Sequence, residues 1–574
     1  MTSQTEAAET PKRSALGALM VYLERRSLVM LALGFASGLP NLLIFDTLSA
    51  WLRDAGLSLE VIGFFSLATL AYSLKFIWAP LVDRTTIPVL SRFLGHRRSW
   101  MIAMQLLVML GLWLIAGVNP AEDLGKMAML AVMVGFTAAT QDIVIDAWRI
   151  EAVDESRQGA MAAAYQWGYR IAMIVAGAAP LILAETYGWN LSYAVMAALM
   201  GVGIAGVLFA PREKVHTVRA IPVGDVPSRP AAEVFEWLLR LLLIVIAALV
   251  IGSGLTGAPD LLAAILGGVG ISMAPLSAAW EAKETGVFIQ FAAVIIGFAI
   301  LVAACWPLPG FRTRPGAYLA GSFGEPLQDF FKRFAGTAAL ILALICLYRV
   351  SDFVLNIMNP FYLDLGFTKT EVAEVRKVFG VVASILGVFL GGLAVVRLGL
   401  MRALMIGAFA GPLSNLVFAW LATQGPYVPA LFVAIGVDNV ASGFSGTCLI
   451  AYMSSLTSAG FTATQYALFS SLYALPGKLI ASQSGRIVES AARNADAGGI
   501  AASLKSLFTG LPAGALIEGA GKTGVTPAAL GSGYVTFFLY STVIGAAAIV
   551  LTFIVAARQP PKDAESAQVV KQTT

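Results

Sequence analysis

Two aspartates and a glutamine stand where hydrocarbon is expected. The stretch ATQDIVIDAWRIE, residues 139–151, closes an apolar run that begins near Met127. Asp142 and Asp146 lie four residues apart, so on a helix they share one face. A carboxylate inside a bilayer is costly, and it marks a functional position by default. Lys75, Arg170, Arg349, Asp352, Asp438 and Lys478 are further ionisable residues within apolar runs. Arg349 and Asp352 are three apart and can pair on their own helix. The only histidines, His96 and His216, fall in polar loops, so a proton relay through the membrane would have to use carboxylates. Asp142 beside a mobile Arg or Lys can bind a proton in one state and release it in another, with Asp438 as the second candidate. Asp146, close to the end of its run, suits a solvated cap or a gating contact. The structural alternative for Asp142, Arg170, Asp438 and Lys478 is a set of buried acid–base pairs that lock helices together. The two readings are compatible, because a pair that breaks when substrate or proton arrives is also a switch.

Aromatic residues gather near these charges: Tyr165, Trp167 and Tyr169 around Arg170, and Tyr473 before Lys478. Aromatic faces beside amides and charges suit sugars and peptides, while packing within a helix bundle is the plainer role for any one of them. The segment EGAGKTG, residues 518–524, lacks the glycine a phosphate-binding loop needs five positions before Gly521; Leu516 stands there. No nucleotide or other cofactor is expected, so transport would run on an ion gradient.

The elements that must hold these residues are membrane-spanning helices. The chain of 574 residues is 58% hydrophobic and only 13% charged, too little charge to cover a soluble protein of this size. Runs of roughly 18 or more apolar residues recur from Ser27 to Ala557, about fourteen in all. The expected class is an all-α polytopic membrane protein. Its parts are a tail over 1–27, six helices over 28–209, an inter-bundle region with two additional spans over 210–334, six helices over 335–556, and a polar tail over 557–574. Residues 257–286, interrupted by Gly and Pro, suit an interfacial or re-entrant segment. Residues 489–530 suggest a long external loop, partly helical at IAASLKSLF.

The net charge of +4 hides an alternation. Clusters at Lys12, Arg13, Arg25 and Arg26, at Arg84, Arg92, Arg97 and Arg98, at Arg212 to Arg229 and at Arg312 to Arg333 occupy every second connection. The positive-inside rule then places both termini in the cytoplasm. Nucleic acid binding is excluded by the strict alternation of these clusters with apolar spans. The first apolar run is too long for a signal-peptide core. Cys305, Cys346 and Cys448 fall within apolar runs, spaced for neither disulfides nor a metal.

The two sets of six read as repeats. Asp54-Ala55-Gly56-Leu57-Ser58 aligns with Asp364-Leu365-Gly366-Phe367-Thr368, Asp142 with Asp438, and Arg170 with Lys478. Two pseudo-equivalent halves with charges at mid-membrane depth imply a substrate path between them.

The segments LALGFASGLPNLLIFDTLSAWL, IGFFSLATLAYSLKFIWAPLVDR, ATQDIVIDAW and GYRIAM resemble the bacterial muropeptide permease family AmpG, within the major facilitator superfamily. The resemblance implies two six-helix halves in the bacterial inner membrane, importing disaccharide-peptide fragments of peptidoglycan with protons; the two extra central helices come from the span count, are not needed for the basic fold and occur only in some relatives. That activity would serve cell-wall recycling and, in some bacteria, β-lactamase induction. Asp83-Arg84 and Gly95-His96-Arg97-Arg98 match the superfamily's loop between its second and third spans, with an insertion and with Ala79 at the usual first glycine. Asp83, Arg84, Arg97 and Arg98 are expected to hold the outward-facing state. Lys75, Arg170, Arg349 and Lys478, with Asp352, would serve substrate carboxylates, and Gln141, Asn439 and the aromatics its sugars. Gly34, Gly38 and Pro40 are candidate bending or close-packing points. The protein is expected to act as a monomer. Relatives of similar pattern carry acetyl-coenzyme A or siderophores; a membrane-embedded enzyme or a non-transporting receptor are the readings from other classes.

Overall fold

The computed structural model describes residues 21–56, 70–154, 157–211, 226–256, 259–268, 270, 272, 274–281, 286–306, 313–481, 484–512 and 514–558. Among the described residues there is no strand. The first half contains α1 (Arg25–Asp54), α2 (Leu70–Leu74), α3 (Ala79–Arg84), α4 (His96–Ala116), α5 (Leu124–Glu151), α6 (Gln158–Tyr187) and α7 (Trp189–Phe209). A central region follows, with α8 (Pro230–Thr256), α9 (Gly286–Cys305) and α10 (Arg314–Arg333). The second half contains α11 (Ala338–Leu347), α12 (Met358–Leu365), α13 (Gly380–Leu398), α14 (Leu400–Gln424), α15 (Val428–Ser455), α16 (Thr462–Ala481), α17 (Ser484–Asp496) and α18 (Pro527–Arg558).

Eleven described helices are long and apolar enough to cross a membrane, or up to twelve with one bent pair, against the expectation of about fourteen. The shortfall lies where continuity fails. Residues 57–69, ahead of α2, lie outside the described residues; α11 and α12 are separated by the 3-10 segment Val350–Ile357; and α16 carries Gln465, Ser470, Ser471 and Pro476. The surface is inside-out relative to a soluble protein: Trp113, Val132 and Phe136 are exposed while Gln105, Gln141 and Asp142 are buried. Lipid is the solvent that makes this arrangement favourable.

Small residues set the helix crossings, because apolar surface gains nothing by leaving lipid and close backbone contact must supply the attraction. A Cβ at Gly34 would lie 2.2 Å from the Tyr165 carbonyl oxygen, and one at Gly168 would lie 2.0 Å from that of Leu31. α1 and α6 therefore touch backbone to backbone. Gly387 and Gly443 do the same for α13 and α15, with Cβ positions 2.2 Å from Val440 O and 2.5 Å from Ser384 O. Pro40 lies within α1, just before the π-helical turn Leu43–Thr47.

The repeat is visible at the end of each first helix. Asp54 accepts from Trp189 Nε1 at 3.0 Å, and Asp364 accepts from the Tyr534 hydroxyl at 2.6 Å. Each half thus ties its first span to its last. Thr368 and Glu371 form a reciprocal capping box on the second half's turn; its counterpart at Ser58 falls outside the described residues.

In the central region α8 and α9 pack as a hairpin, the Gly254 Cβ position being 2.7 Å from Gln290 O and that of Gly297 2.5 Å from Ile251 Cγ1. Buried Arg240 pairs with Glu236 at 2.7 Å, and Phe298 stacks on Phe76 at 5.9 Å, which docks the hairpin beside α2. Residues 257–286 hold two short helices, Asp260–Gly268 and Ala274–Glu281. The region 489–530 is more ordered than an external loop: Val488, Ala492, Phe508, Leu516 and Ala520 bury against α12 and α18. The 3-10 segment Ile500–Phe508 covers IAASLKSLF.

Candidate functional site

The halves meet at the end of the bundle that carries the arginine clusters, the basic face. Asp83, at the end of α3, accepts from the backbone N of Ala463 (3.2 Å) and Thr464 (2.8 Å) and from the Thr464 hydroxyl (2.7 Å). A carboxylate of one half thereby caps the first turn of α16 in the other, satisfying donors that a helix N-terminus leaves open. Arg97, fully buried, holds Asp83 and Glu151, each at 2.7 Å. Arg84 reaches Glu325 of α10 at 2.9 Å, and Arg98 donates to the Val207 carbonyl at 3.1 Å. From α10, Asp329 accepts from Ser458 at 2.7 Å and Gln465 at 3.0 Å, so this helix bridges both halves. Gly159 and Gly392 let α6 and α13 approach until a Cβ on Gly392 would lie 3.0 Å from Gly159 O. Tyr22 stacks on Trp167 and packs against Phe389, with centroids 5.3 and 5.4 Å away.

Above this closure, Trp167 Nε1 donates to Ile385 O at 3.1 Å and Gln166 Nε2 to the Thr447 hydroxyl at 2.7 Å. Arg149 crosses from α5 to donate to the Ser454 hydroxyl at 2.9 Å, its guanidinium 5.0 Å above the Tyr466 ring. Behind it stands Asp146, one oxygen 3.3 Å from Arg149 and the other 3.7 Å from Lys75 Nζ.

A cavity of about 460 Å³ opens over this floor, lined by Asn41, Tyr72, Ser73, Lys75, Asp142, Asp146, Tyr165, Gln166, Tyr169, Arg170, Met173, Arg349, Ile450, Tyr466, Ser470, Tyr473 and Ala474. Its residues are held by specific devices. Lys75 sits on a 3-10 turn, Lys75–Ile77, between α2 and α3; Pro80 has no N–H for the Phe76 carbonyl, so the helix breaks there. The backbone contact at Gly34 and Gly168 carries Tyr165 and Tyr169 against α1. There Ser37 donates to Asp142 and lies 2.8 Å from the Tyr165 hydroxyl, while Asn41 donates to the Tyr169 hydroxyl at 2.7 Å. Arg349 Nε donates to Asp352 at 2.6 Å and Nη2 to the Ser442 hydroxyl at 2.8 Å.

The structure thus collects Asp142, Asp146, Lys75, Tyr165, Tyr169, Arg170, Arg349 and Tyr473 in one space. It separates others. Gln141 is fully buried, neither amide atom has a hydrogen-bond partner, and it does not line the cavity: one position along the helix from Asp142 is a rotation of about 100°. Trp167 belongs to the closure. Asp438 accepts from Ser414 at 3.2 Å and Asn439 donates back to Ile435 O at 2.9 Å, both away from the lining. Asp352 serves Arg349 from outside the lining. Lys478 lies on α16, its side chain outside the described residues. The partner of Asp142 is the Ser37 hydroxyl, where an acid–base pair with Arg170 was the structural alternative.

Sequence reasoning missed Ser37, Asn41, Tyr72, Arg149, Gln166 and Tyr466. Arg149 had a usable signal, since it follows Asp146 by three residues and can reach it on the same helix. Neutral Ser, Asn and Tyr give none, being ordinary within membrane helices. Among the described residues no group of His, Cys, Asp and Glu could hold a metal.

Comparison with known proteins gives four findings. A family model described as Acetyl-coenzyme A transporter 1 matches residues 27–186. Putative transporter AmpG 4 of Rickettsia felis is 31% identical over 472 residues, 82% of this chain and 91% of its own length. The anhydromuropeptide permease of Escherichia coli K12 is 31% identical over 474 residues, 82% of this chain and 76% of its own. Among solved structures, the major facilitator proton:xylose symporter XylE, bound to 6-bromo-6-deoxy-D-glucose, has a TM-score of 0.50 at 10% identity, covering 92% of this chain and 94% of its own; it shares the fold alone.

Proposed function

Because this chain belongs to the AmpG anhydromuropeptide permease family and has the major facilitator fold, we propose that it imports anhydro-muropeptides from periplasm to cytoplasm, driven by protons. The observation that carries the reading is the lining of the cavity between the halves, where carboxylates Asp142 and Asp146 face cations Lys75, Arg170 and Arg349 among tyrosines. A stem peptide brings carboxylates for Arg170 and Arg349, one from each half, so bound substrate would bridge the two bodies that must rock. Tyr165, Tyr169 and Tyr473 offer flat amphipathic faces for the sugar rings. Asp142 takes the proton: its hydrogen-bond partner is a hydroxyl, which serves either charge state by reorienting.

With the basic face in the cytoplasm by the positive-inside rule, the arrangement corresponds to the outward-facing state. Asp83 and Arg97, with Glu151 and Arg149 of α5, tie the inner side, which supports a gating role for Asp83 and Arg97. The protein acts as a monomer in the bacterial inner membrane, both termini in the cytoplasm.

The experiment is uptake of labelled N-acetylglucosaminyl-anhydro-N-acetylmuramyl-tripeptide into proteoliposomes, with and without an inward proton gradient. Accumulation that needs the gradient supports the reading. Binding without accumulation would replace the transporter by a receptor. A second substrate is favoured by the match of residues 27–186 to the acetyl-coenzyme A transporter model, so unlabelled acetyl-coenzyme A is the competitor. Competition stronger than that of unlabelled muropeptide would move the substrate to that class.

A further inference from the structure

Lys75 stands between two carboxylates and is held loosely by one of them. Its ammonium is 3.7 Å from Asp146, whose other oxygen already has Arg149 at 3.3 Å. Asp142, one helical turn further along the same face, lines the same cavity, bound by the Ser37 hydroxyl. The other ionisable groups facing Lys75 give it no third anion. Tyr72, Tyr165, Tyr169, Tyr466 and Tyr473 offer it hydroxyls rather than carboxylates, and Arg170 and Arg349 are cations like itself. The four-carbon stem lets the ammonium swing over a distance comparable with the one-turn rise of about 5–6 Å. Lys75 also rides on the broken segment between α2 and α3, beside α16 of the opposite half.

We propose that Lys75 is the coupling cation: it moves between Asp146 and whichever other anion the cavity presents, and its position decides whether Arg149 ties the halves together. This rests on the reading that Asp142 carries the proton. With a proton on Asp142 and no substrate, Lys75 has only Asp146. It shares that carboxylate with Arg149, leaving the guanidinium extended to Ser454 and Tyr466, and the floor stays shut. With Asp142 ionised and the cavity empty, Lys75 moves to Asp142. Asp146 then draws Arg149 back onto its own helix, and the tie between the halves is released. With the proton and an anionic substrate both bound, a substrate carboxylate captures Lys75 and releases the tie in the same way. Only the proton-alone state is locked, which is the condition a symporter must meet to avoid leaking protons.

The test compares wild type, Lys75→Met, Lys75→Arg and Asp142→Asn in proteoliposomes by three readouts: gradient-driven accumulation of the labelled tripeptide muropeptide, counterflow exchange without a gradient, and proton entry without substrate. For Lys75→Met the expected result is equilibration without accumulation, counterflow lowered by a much smaller factor than accumulation, and a substrate-independent proton leak absent from wild type. Lys75→Arg, which keeps the cation, should restore accumulation in part and suppress the leak. A loss of accumulation and counterflow in equal proportion, or no leak, would overturn the role and leave Lys75 a structural or substrate-binding residue. If Lys75→Met cannot be purified folded, Lys75→Arg decides alone: accumulation closer to wild type than to Asp142→Asn supports the proposal, and the reverse overturns it. Wild-type accumulation retained by Asp142→Asn defeats the proton reading itself. An Asp142→Asn protein that only exchanges, beside a Lys75→Met protein that accumulates normally, defeats the Lys75 inference alone.

Discussion

Asp142 and Asp438 lie on corresponding helices of the two halves, α5 (Leu124–Glu151) and α15 (Val428–Ser455), but Asp438 sits about two turns nearer the start of its helix, so the expected equivalence of the two carboxylates does not hold. Asp142 is only 6% exposed, lines the central cavity and is held by Ser37 from α1. Asp438 is half-buried, lies off the cavity and is held by Ser414 from α14. Among the described residues, the charge the second half brings to the cavity is Arg349, with Asp352 as its counter-ion behind it. The first half thus contributes both carboxylates together with Lys75 and Arg170, the second a paired cation. On the proposed reading, pseudo-symmetry supplies the two bodies that rock, and departure from it puts the proton site on one side while Arg170 and Arg349 put an anion contact on each.

The sharpest way to break this comparison is a matched pair of substitutions. Asp142→Asn should lower gradient-driven accumulation by roughly a hundredfold or more, as loss of the proposed proton carrier requires. Asp438→Asn should change it by less than about threefold. Equal losses would mean that both carboxylates couple and the asymmetry is only geometric.

The next effect in size concerns the basic face, where the charges of the Asp83–Arg97–Glu151 network all come from the first half. Arg97→Gln leaves Asp83 and Glu151 facing each other without their cation, and breaking a buried pair from one side costs about 3–5 kcal/mol. The protein should melt at a clearly lower temperature, and thiol cross-links between α6 and α13 at this face should form less readily. Unchanged cross-linking would remove Arg97 from the closure.

Arg349→Gln should raise the KM for muropeptide by about tenfold, the worth of one charge-assisted contact, with a smaller change in kcat. Adding Asp352→Asn should recover thermal stability without recovering KM. Recovery of both would make the pair structural rather than substrate-directed.

The smallest effect tests the capping box. Thr368→Ala should cost about 1 kcal/mol of stability and leave transport intact. The backbone N–H and hydroxyl of Thr368 hold the Glu371 carboxyl below its ordinary range. A depressed carboxyl stabilises the fold above its unfolded-state value and loses that contribution as pH falls through its folded value. The variant and the wild type should therefore converge in melting temperature in acid. A difference that persists there would assign the effect to the hydroxyl's bond to Glu371 N alone.

Much of this was legible in residue order. Asp83 and Arg97 fall at the closure, Arg84 reaches α10 and Asp142 lies in the cavity, because charges within or beside apolar spans have few affordable places, whereas Arg98 bonds Val207 of its own half. The pairing of Arg349 with Asp352 followed from helical spacing. The misplacements share one cause. Gln141 and Asn439 were assigned to sugars for their amides, but Gln141 is walled in beside Asp142 and Asn439 bonds its own helix. Trp167 was grouped with its neighbours, yet alternate positions on a helix point in different directions, and Trp167 faces α13. The external loop over 489–530 gave no periodic signal, and its order comes from contacts with α12 and α18.

By itself the sequence determined that this chain is a polytopic helical protein, that it carries two related halves, and which few charges those halves place at membrane depth. Hydrocarbon penalises charge and unpaired backbone so heavily that these features are written locally. Only the tertiary structure decided which of those charges meet: that Ser37 serves Asp142, that Arg149 reaches Ser454, and that Lys75 lies beside Asp146. The physical reason is that in a membrane helix the lipid-facing and protein-facing sides are both apolar. Hydrophobic periodicity then no longer marks the inward face, and the direction of each side chain is set by where glycine lets two helices touch.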